Sequence, residues 1–125
     1  MSIRRQSQTL LPSAARTTAQ TSGEFSAEEV YTSDFVFNVT LDPGTASITP
    51  SIQGQDAVSK AWYTILTGAA VAAVGTTVMR VGPTIIAAAN VGANAMLPET
   101  FRVAVAVADA QSMTYSFSVN HMIQN

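Results

Sequence analysis

The deciding stretch is Phe101-Arg102-Val103-Ala104-Val105-Ala106-Val107, followed after Asp109-Ala110-Gln111-Ser112 by Met113-Thr114-Tyr115-Ser116-Phe117-Ser118-Val119-Asn120-His121. Phe101, Val103, Val105 and Val107 share one face against Arg102, Ala104 and Ala106. Met113, Tyr115, Phe117, Val119 and His121 share another, against Thr114, Ser116, Ser118 and Asn120. Successive side chains of a strand point to opposite faces, so this period of two predicts two strands, each with one buried and one wet face. The short polar link between them predicts a β-hairpin. Each large side chain buried contributes roughly 1.5–3 kcal/mol, enough to hold the register against a one-residue slip.

The same period appears upstream. Phe35, Phe37, Val39 and Leu41 alternate with Val36, Asn38 and Thr40, and Asp42-Pro43-Gly44-Thr45 then supplies turn chemistry. A strand over about 46–53 carries Ile48 and Ile52 on one face. Pro50 between them lacks a ladder donor, which places that strand at an edge or interrupts it locally. Gly54-Gln55-Asp56 marks a further turn. Trp62-Tyr63-Thr64-Ile65-Leu66 and Thr76-Thr77-Val78-Met79-Arg80-Val81 read as two more strands, the second ended by Gly82-Pro83. Residues 84–97 read two ways: their alanines favour helix, whereas Gly92, the asparagines and the flanking prolines argue for a long irregular connection. Ser26-Ala27-Glu28-Glu29 fits a capping box, but no amphipathic pattern follows it, so no helix is expected.

Residues 1–24 are polar and aperiodic and read as an arm in front of one β domain over 25–125, with residues 10–21 as the first strand of the sandwich the alternative left open. The expected fold is all-β: an antiparallel β-sandwich or jelly-roll-like barrel with an extended N-terminal arm. A length of 125 residues suits one such domain.

Charged residues make up 11% of the chain and the net charge is −2, against a usual charged share of roughly 25%. Nothing there forms the basic footprint of a nucleic-acid-binding surface. A surface so poor in charge resists association weakly, which suits either a protein covered by neighbours or a Ser/Thr-rich β surface that needs few charges. There are no cysteines, which excludes disulfides, thiolate metal sites and thiol catalysis. Met1–Leu11 lacks the apolar core of a secretory signal. The apolar run Ile65–Val74 is shorter than the ~18–20 residues of a membrane span, so no membrane partner is expected.

Chemistry-bearing residues are scattered. His121 is the single histidine and ends an apolar strand face, so a structural role is expected rather than that of a base with oriented partners. The eight acids are dispersed. Glu28 and Glu29, if on a strand, point to opposite faces; Asp42 and Asp56 brought together across the fold are the remaining pair that could hold a cation, a reading with little behind it. Gly54 and Gly75 lack the context of a phosphate cradle. Trp62 and Tyr63 read as core aromatics in preference to a sugar-stacking platform. No catalytic, metal or cofactor site is expected.

A resemblance spans nearly the whole chain, from about Leu11 to Ile123. It is carried by Phe37-Asn38-Val39-Thr40, Ile52-Gln53-Gly54-Gln55-Asp56, Trp62-Tyr63-Thr64-Ile65-Leu66, Ala87-Ala88-Ala89-Asn90-Val91, Leu97-Pro98-Glu99-Thr100-Phe101-Arg102-Val103 and Tyr115-Ser116-Phe117-Ser118-Val119. In their order and spacing these motifs resemble a family of small structural proteins of tailed-bacteriophage virions. The resemblance implies a head decoration (cement) protein on the capsid exterior, binding the major capsid protein and self-associating, with a trimer favoured. Arg4, Arg5, Leu10, Leu11 and Arg16 of the arm are then the expected partner contacts. The competing reading is a receptor- or glycan-binding β module of a head fibre or tail, using Trp62 and Tyr63.

Overall fold

The computed structural model describes residues 3–42, 47–108 and 111–124. Ten strands run in chain order: β1 (Ile3–Arg16), β2 (Gln20–Thr21), β3 (Phe25–Ser26), β4 (Val30–Leu41), β5 (Ile48–Gln55), β6 (Trp62–Thr67), β7 (Gly75–Gly82), β8 (Gly92–Asn94), β9 (Thr100–Val107) and β10 (Met113–Gln124). Among the described residues there is no helix. One sheet has the order β1-β10-β4-β7-β8; the other has β2-β9-β5-β6, with β3 also on β9.

The pairing pattern identifies the topology. β1 pairs antiparallel with β10, β2 with β9, β4 with β7 and β5 with β6. Outer strands of the chain thus pair around inner ones, as in a long two-stranded ribbon. The ribbon is rolled so that β10 also meets β4 and β9 also meets β5. With β2 and β3 counted as one strand and β8 as an appendage, this is the eight-stranded jelly roll. β8 adds to β7 in parallel, through Arg80↔Gly92 to Gly82↔Asn94, inside the segment 84–97 read as helix or irregular connection.

The core lies between the sheets. Phe35, Phe37, Val39, Tyr115, Phe117 and Val119 come from the first sheet, and Ile48, Ile52, Phe101, Val103 and Val105 from the second. Phe35 meets Phe101 across the gap edge-to-face, with ring centroids 5.9 Å apart, and touches Phe117 at 6.4 Å. Such aromatic pairs add about 0.5–1.5 kcal/mol beyond the area they bury. Gly54 is buried opposite Pro98; a Cβ there would run into the proline ring and stand 3.0 Å from the Tyr63 hydroxyl.

Three expectations change. The segment read as an arm is built into the body: β1 pairs with β10 from Ile3↔Gln124 to Arg16↔Met113, and Gln20–Thr21 continues along β9. The period of two was hidden by two register shifts, between Thr9 and Leu11 and between Leu11 and Ala14. They let the adjacent Leu10 and Leu11 both turn inward, 4% and 8% exposed. Second, β9 and β10 form no hairpin, since they lie in opposite sheets and face each other across the core. Third, Glu28 and Glu29 sit in a turn rather than a strand, with Glu29 in the left-handed region (φ 60°).

Pro50 realises the interrupted alternative. β5 is flanked by β9 and β6, but its ladder to β6 begins at Ser51↔Thr67, and Ile48 pairs separately with Val71. The Pro50 carbonyl accepts from the Gly68 N–H at 2.8 Å. The N–H and C=O of one strand residue point the same way, so the missing donor faces the 68–71 loop and leaves the β9 ladder whole. The turns read at Pro43-Gly44-Thr45 and Asp109-Ala110 lie outside the described residues.

Phe117→Ala is expected to cost about 3–5 kcal/mol by cavity formation, and the outward Ser116→Ala less than about 0.5 kcal/mol, in urea unfolding; equal costs would contradict the register. Deletion of residues 1–16 is expected to abolish the cooperative thermal transition, because it strips β10 of a partner and removes Leu10 and Leu11 from the core. A truncated chain melting within a few degrees of the full one would contradict the integration of β1.

Candidate interaction surface

The outward residues of the first sheet align in rows because four strands keep one register. Ser7, Asn120, Asp34 and Arg80 form one row; Thr9, Ser118, Val36 and Val78 the next; Ser116, Asn38 and Thr76 a third. Side chains tie these rows together: the Ser7 hydroxyl donates to Asn120 Oδ1 at 2.7 Å, and the Thr76 hydroxyl to Asn38 Oδ1 at 3.0 Å. Arg80 Nε pairs with Asp34 Oδ1 at 3.2 Å, with both side chains about half exposed, so this pair contributes little to stability. The charges gather at one end, where Arg5, Ser7, Thr32, Asp34 and Met122 line a shallow hollow. The remainder of the face is neutral, small and polar.

The outer face of the second sheet is similar, with Thr49, Ser51, Gln53 and Gln55 on β5 beside Arg102, Ala104 and Ala106 on β9 and Trp62 and Thr64 on β6. The core reading of the two aromatics is corrected here. Trp62 is half-buried and points outward, and Tyr63 is 48% exposed. They are neighbours on β6, the edge strand of the sheet, so they diverge and form no common platform. The Arg102 guanidinium lies over the Trp62 ring, 4.1 Å from its centroid, and Arg102 Nε donates to Gln53 Oε1 at 2.6 Å.

Of the five expected contact residues, Arg4 and Arg5 are exposed on β1. Leu10 and Leu11 are core residues, and burial removes them from any surface a partner could touch in this conformation. Arg16 is committed internally: it donates to the Tyr115 carbonyl at 2.8 Å and to the Pro12 carbonyl, and stacks on the Tyr115 ring at 4.7 Å. It thereby satisfies carbonyl groups at the bulge that lets β1 bury both leucines. Burial pushes the Tyr115 hydroxyl pKa up, opposed by the Arg16 charge. Asp42 follows β4, whereas Asp56 follows β5 and accepts from the Ser59 N–H and hydroxyl. Among the described residues no three metal-ligating side chains gather, and no helix is long and apolar enough to cross a membrane.

His121 has the oriented partners that were not foreseen. It is 2% exposed, its Nδ1 lies 2.7 Å from the Ser33 hydroxyl and its Nε2 2.9 Å from Gln8 Oε1. Phe101 packs edge-to-face on the ring at 5.6 Å. In this orientation of Gln8, Nε2–H donates to the amide oxygen and Nδ1 accepts from Ser33, which suits the neutral ring. Ser33 is itself 1% exposed, and a neutral amide replaces the carboxylate of a catalytic triad. The set therefore joins β1, β10 and β4 through the core. No sequence spacing could have found it, since Gln8, Ser33 and His121 meet only through sheet register.

No family model and no curated protein matches the chain. Among solved structures, the "Structure of infectious bursal disease virus Gx strain" aligns with 97% of this chain at 13% identity and a TM-score of 0.46. This chain spans about a third of that one, 32% of its length. At that level of likeness the fold assignment rests on the strand pairing alone.

Burial holds the His121 pKa below its ordinary 6.5. Between the folded and unfolded values the unfolded chain binds more protons, so stability is full above about pH 6.5 and falls as the pH drops below it, by at most about 1.4 kcal/mol per pH unit for one proton. The melting temperature is expected to fall between pH 7.5 and 5.5, and His121→Gln is expected to flatten that slope. An unchanged slope in the variant would contradict the buried neutral ring.

Proposed function

We propose that the chain is a bacteriophage virion structural protein: a capsid decoration (cement) protein that binds the major capsid protein on the exterior of the assembled shell and self-associates, with a trimer favoured. The proposal assigns it no catalysis, cofactor, nucleic acid or membrane.

The observation that carries this reading is a jelly roll whose two outer sheet faces consist mostly of Ser, Thr, Asn, Gln, Ala and Val, with few charges, among them Asp34 and Arg80 on one face and Arg102 on the other. The jelly roll serves viral coat domains, lectins and cupins alike, so topology alone does not choose a function. The surface narrows the choice. Aromatic side chains fill the space between the sheets, which leaves partners to the outer faces, the edges and the ends. Low-charge faces whose polar groups already bond to one another lose little on being covered, because few charges must shed water. The sequence resemblance to phage virion proteins points the same way. Arg4 and Arg5, exposed on the edge strand β1, are the charged contacts retained from the sequence reading. They now act from a fixed strand rather than from a flexible clamp.

The second reading, a glycan- or receptor-binding module of a head fibre or tail, draws on Trp62 and Tyr63 standing outside the core. The divergence of the two rings and the Arg102 stacked on the indole weaken it.

Shells assembled without this protein are expected to sediment with it to a saturable stoichiometry and to withstand higher temperature once decorated. Analytical ultracentrifugation of the free protein is expected to give a trimer at micromolar concentration. Failure to co-sediment, together with binding to glycans that depends on Trp62, would overturn the proposal in favour of the second reading.

A further inference from the structure

Arg102 stands apart on the outer face of the second sheet. It is half-buried, its Nε is committed to Gln53 Oε1 at 2.6 Å, and its guanidinium lies over the Trp62 ring, 4.1 Å from the centroid. Among the described residues no carboxylate pairs with it. Arg80, by contrast, has Asp34, and Arg16 is used up on main-chain carbonyls. The side-chain entropy that an arginine normally loses on binding has here been removed in advance by the stack and the hydrogen bond. The two terminal nitrogens remain as a planar pair of donors, the geometry that matches a carboxylate.

We infer that Arg102, oriented by Trp62 and Gln53, is a docking site for a single Glu or Asp side chain of a protein partner. Charge complementarity selects an acidic group, because Arg102 is a lone cation amid Thr49, Ser51, Gln55, Thr64 and Ala104. A sugar needs a free aromatic face, and Arg102 already covers one face of the indole, which selects a protein side chain over a sugar. The inference rests on the reading of the chain as a coat component and adds the chemistry of one contact to it.

The single tryptophan makes its fluorescence a direct reporter in the full chain. Tetraglutamate, tetragalacturonate and the neutral sugar maltotetraose are the probes, with Arg102→Gln, Arg102→Lys and Arg80→Gln as variants whose folding is checked by thermal melting. Tetraglutamate is expected to shift Trp62 emission saturably and more tightly than tetragalacturonate, and maltotetraose to leave it unchanged. Arg102→Gln is expected to weaken tetraglutamate binding about tenfold or more. Arg102→Lys, which keeps the charge and loses the planar fork, is expected to fall between, and Arg80→Gln, on the other sheet, to have no effect. Equal or tighter binding of tetragalacturonate, a response to maltotetraose, binding lost in Arg80→Gln rather than Arg102→Gln, or no response to any probe would overturn the inference. Shell binding separates it from the parent reading. Undiminished shell binding by Arg102→Gln overturns the site and leaves the coat role standing. Peptide binding with no shell binding by the wild type supports the site and overturns the coat role.

Discussion

β10 is hydrogen-bonded to β1 on one side and to β4 on the other, so the pair Ile3↔Gln124 closes the first sheet with residues from both ends of the described chain. Every layer depends on that closure. The register Phe35↔Val119, Phe37↔Phe117 and Val39↔Tyr115 brings the large side chains of one face together, and Phe35 then carries the packing across to Phe101 in the second sheet. The same register aligns the outer rows from Ser7 to Arg80. Pairings so distant in sequence are slow to form, because loop-closure entropy must be met before their contacts stabilise anything. A buried hydrogen-bonded set, Gln8–His121–Ser33, spans β1, β10 and β4 where that closure happens.

The elements of this fold were legible wherever period two ran undisturbed. The strands around Phe35–Leu41, Phe101–Val107 and Met113–His121 stand where alternation put them, and Thr76–Val81 where its composition did. Pairing was not legible, because alternation says which residues share a face and nothing about which sheet the face belongs to. For that reason β9 and β10 read as a hairpin although they face each other from opposite sheets. β1 was missed for a different reason: its bulges place Leu10 and Leu11 inward together and break the period, so a strand resembled an arm. Trp62 was misplaced because aromatic content signals a strand but not which side of an edge strand a ring takes.

The candidate surface was the least legible part. The low charge of the whole chain was visible in composition, but its arrangement into neutral rows with charges gathered near Arg5, Asp34 and Arg80 exists only through register. Three of the five expected contact residues prove to hold the body together: Leu10 and Leu11 fill the core, and Arg16 closes the bulge that allows them to do so. What stays outside is two sheet faces poor in charge, with a few placed cations. That combination suits a protein that lies against a preformed surface with little rearrangement, since its interface is already ordered before contact.

The most direct test is an electron cryomicroscopy map, at side-chain resolution, of shells assembled without this protein and then incubated with it. The account predicts added density on the shell exterior into which the jelly roll fits as a rigid body, with residues 3–16 still paired to β10 and a flat sheet face or edge against the major capsid protein. Shells without added density, or density in which residues 3–16 have left β10 to extend over the shell, would contradict it.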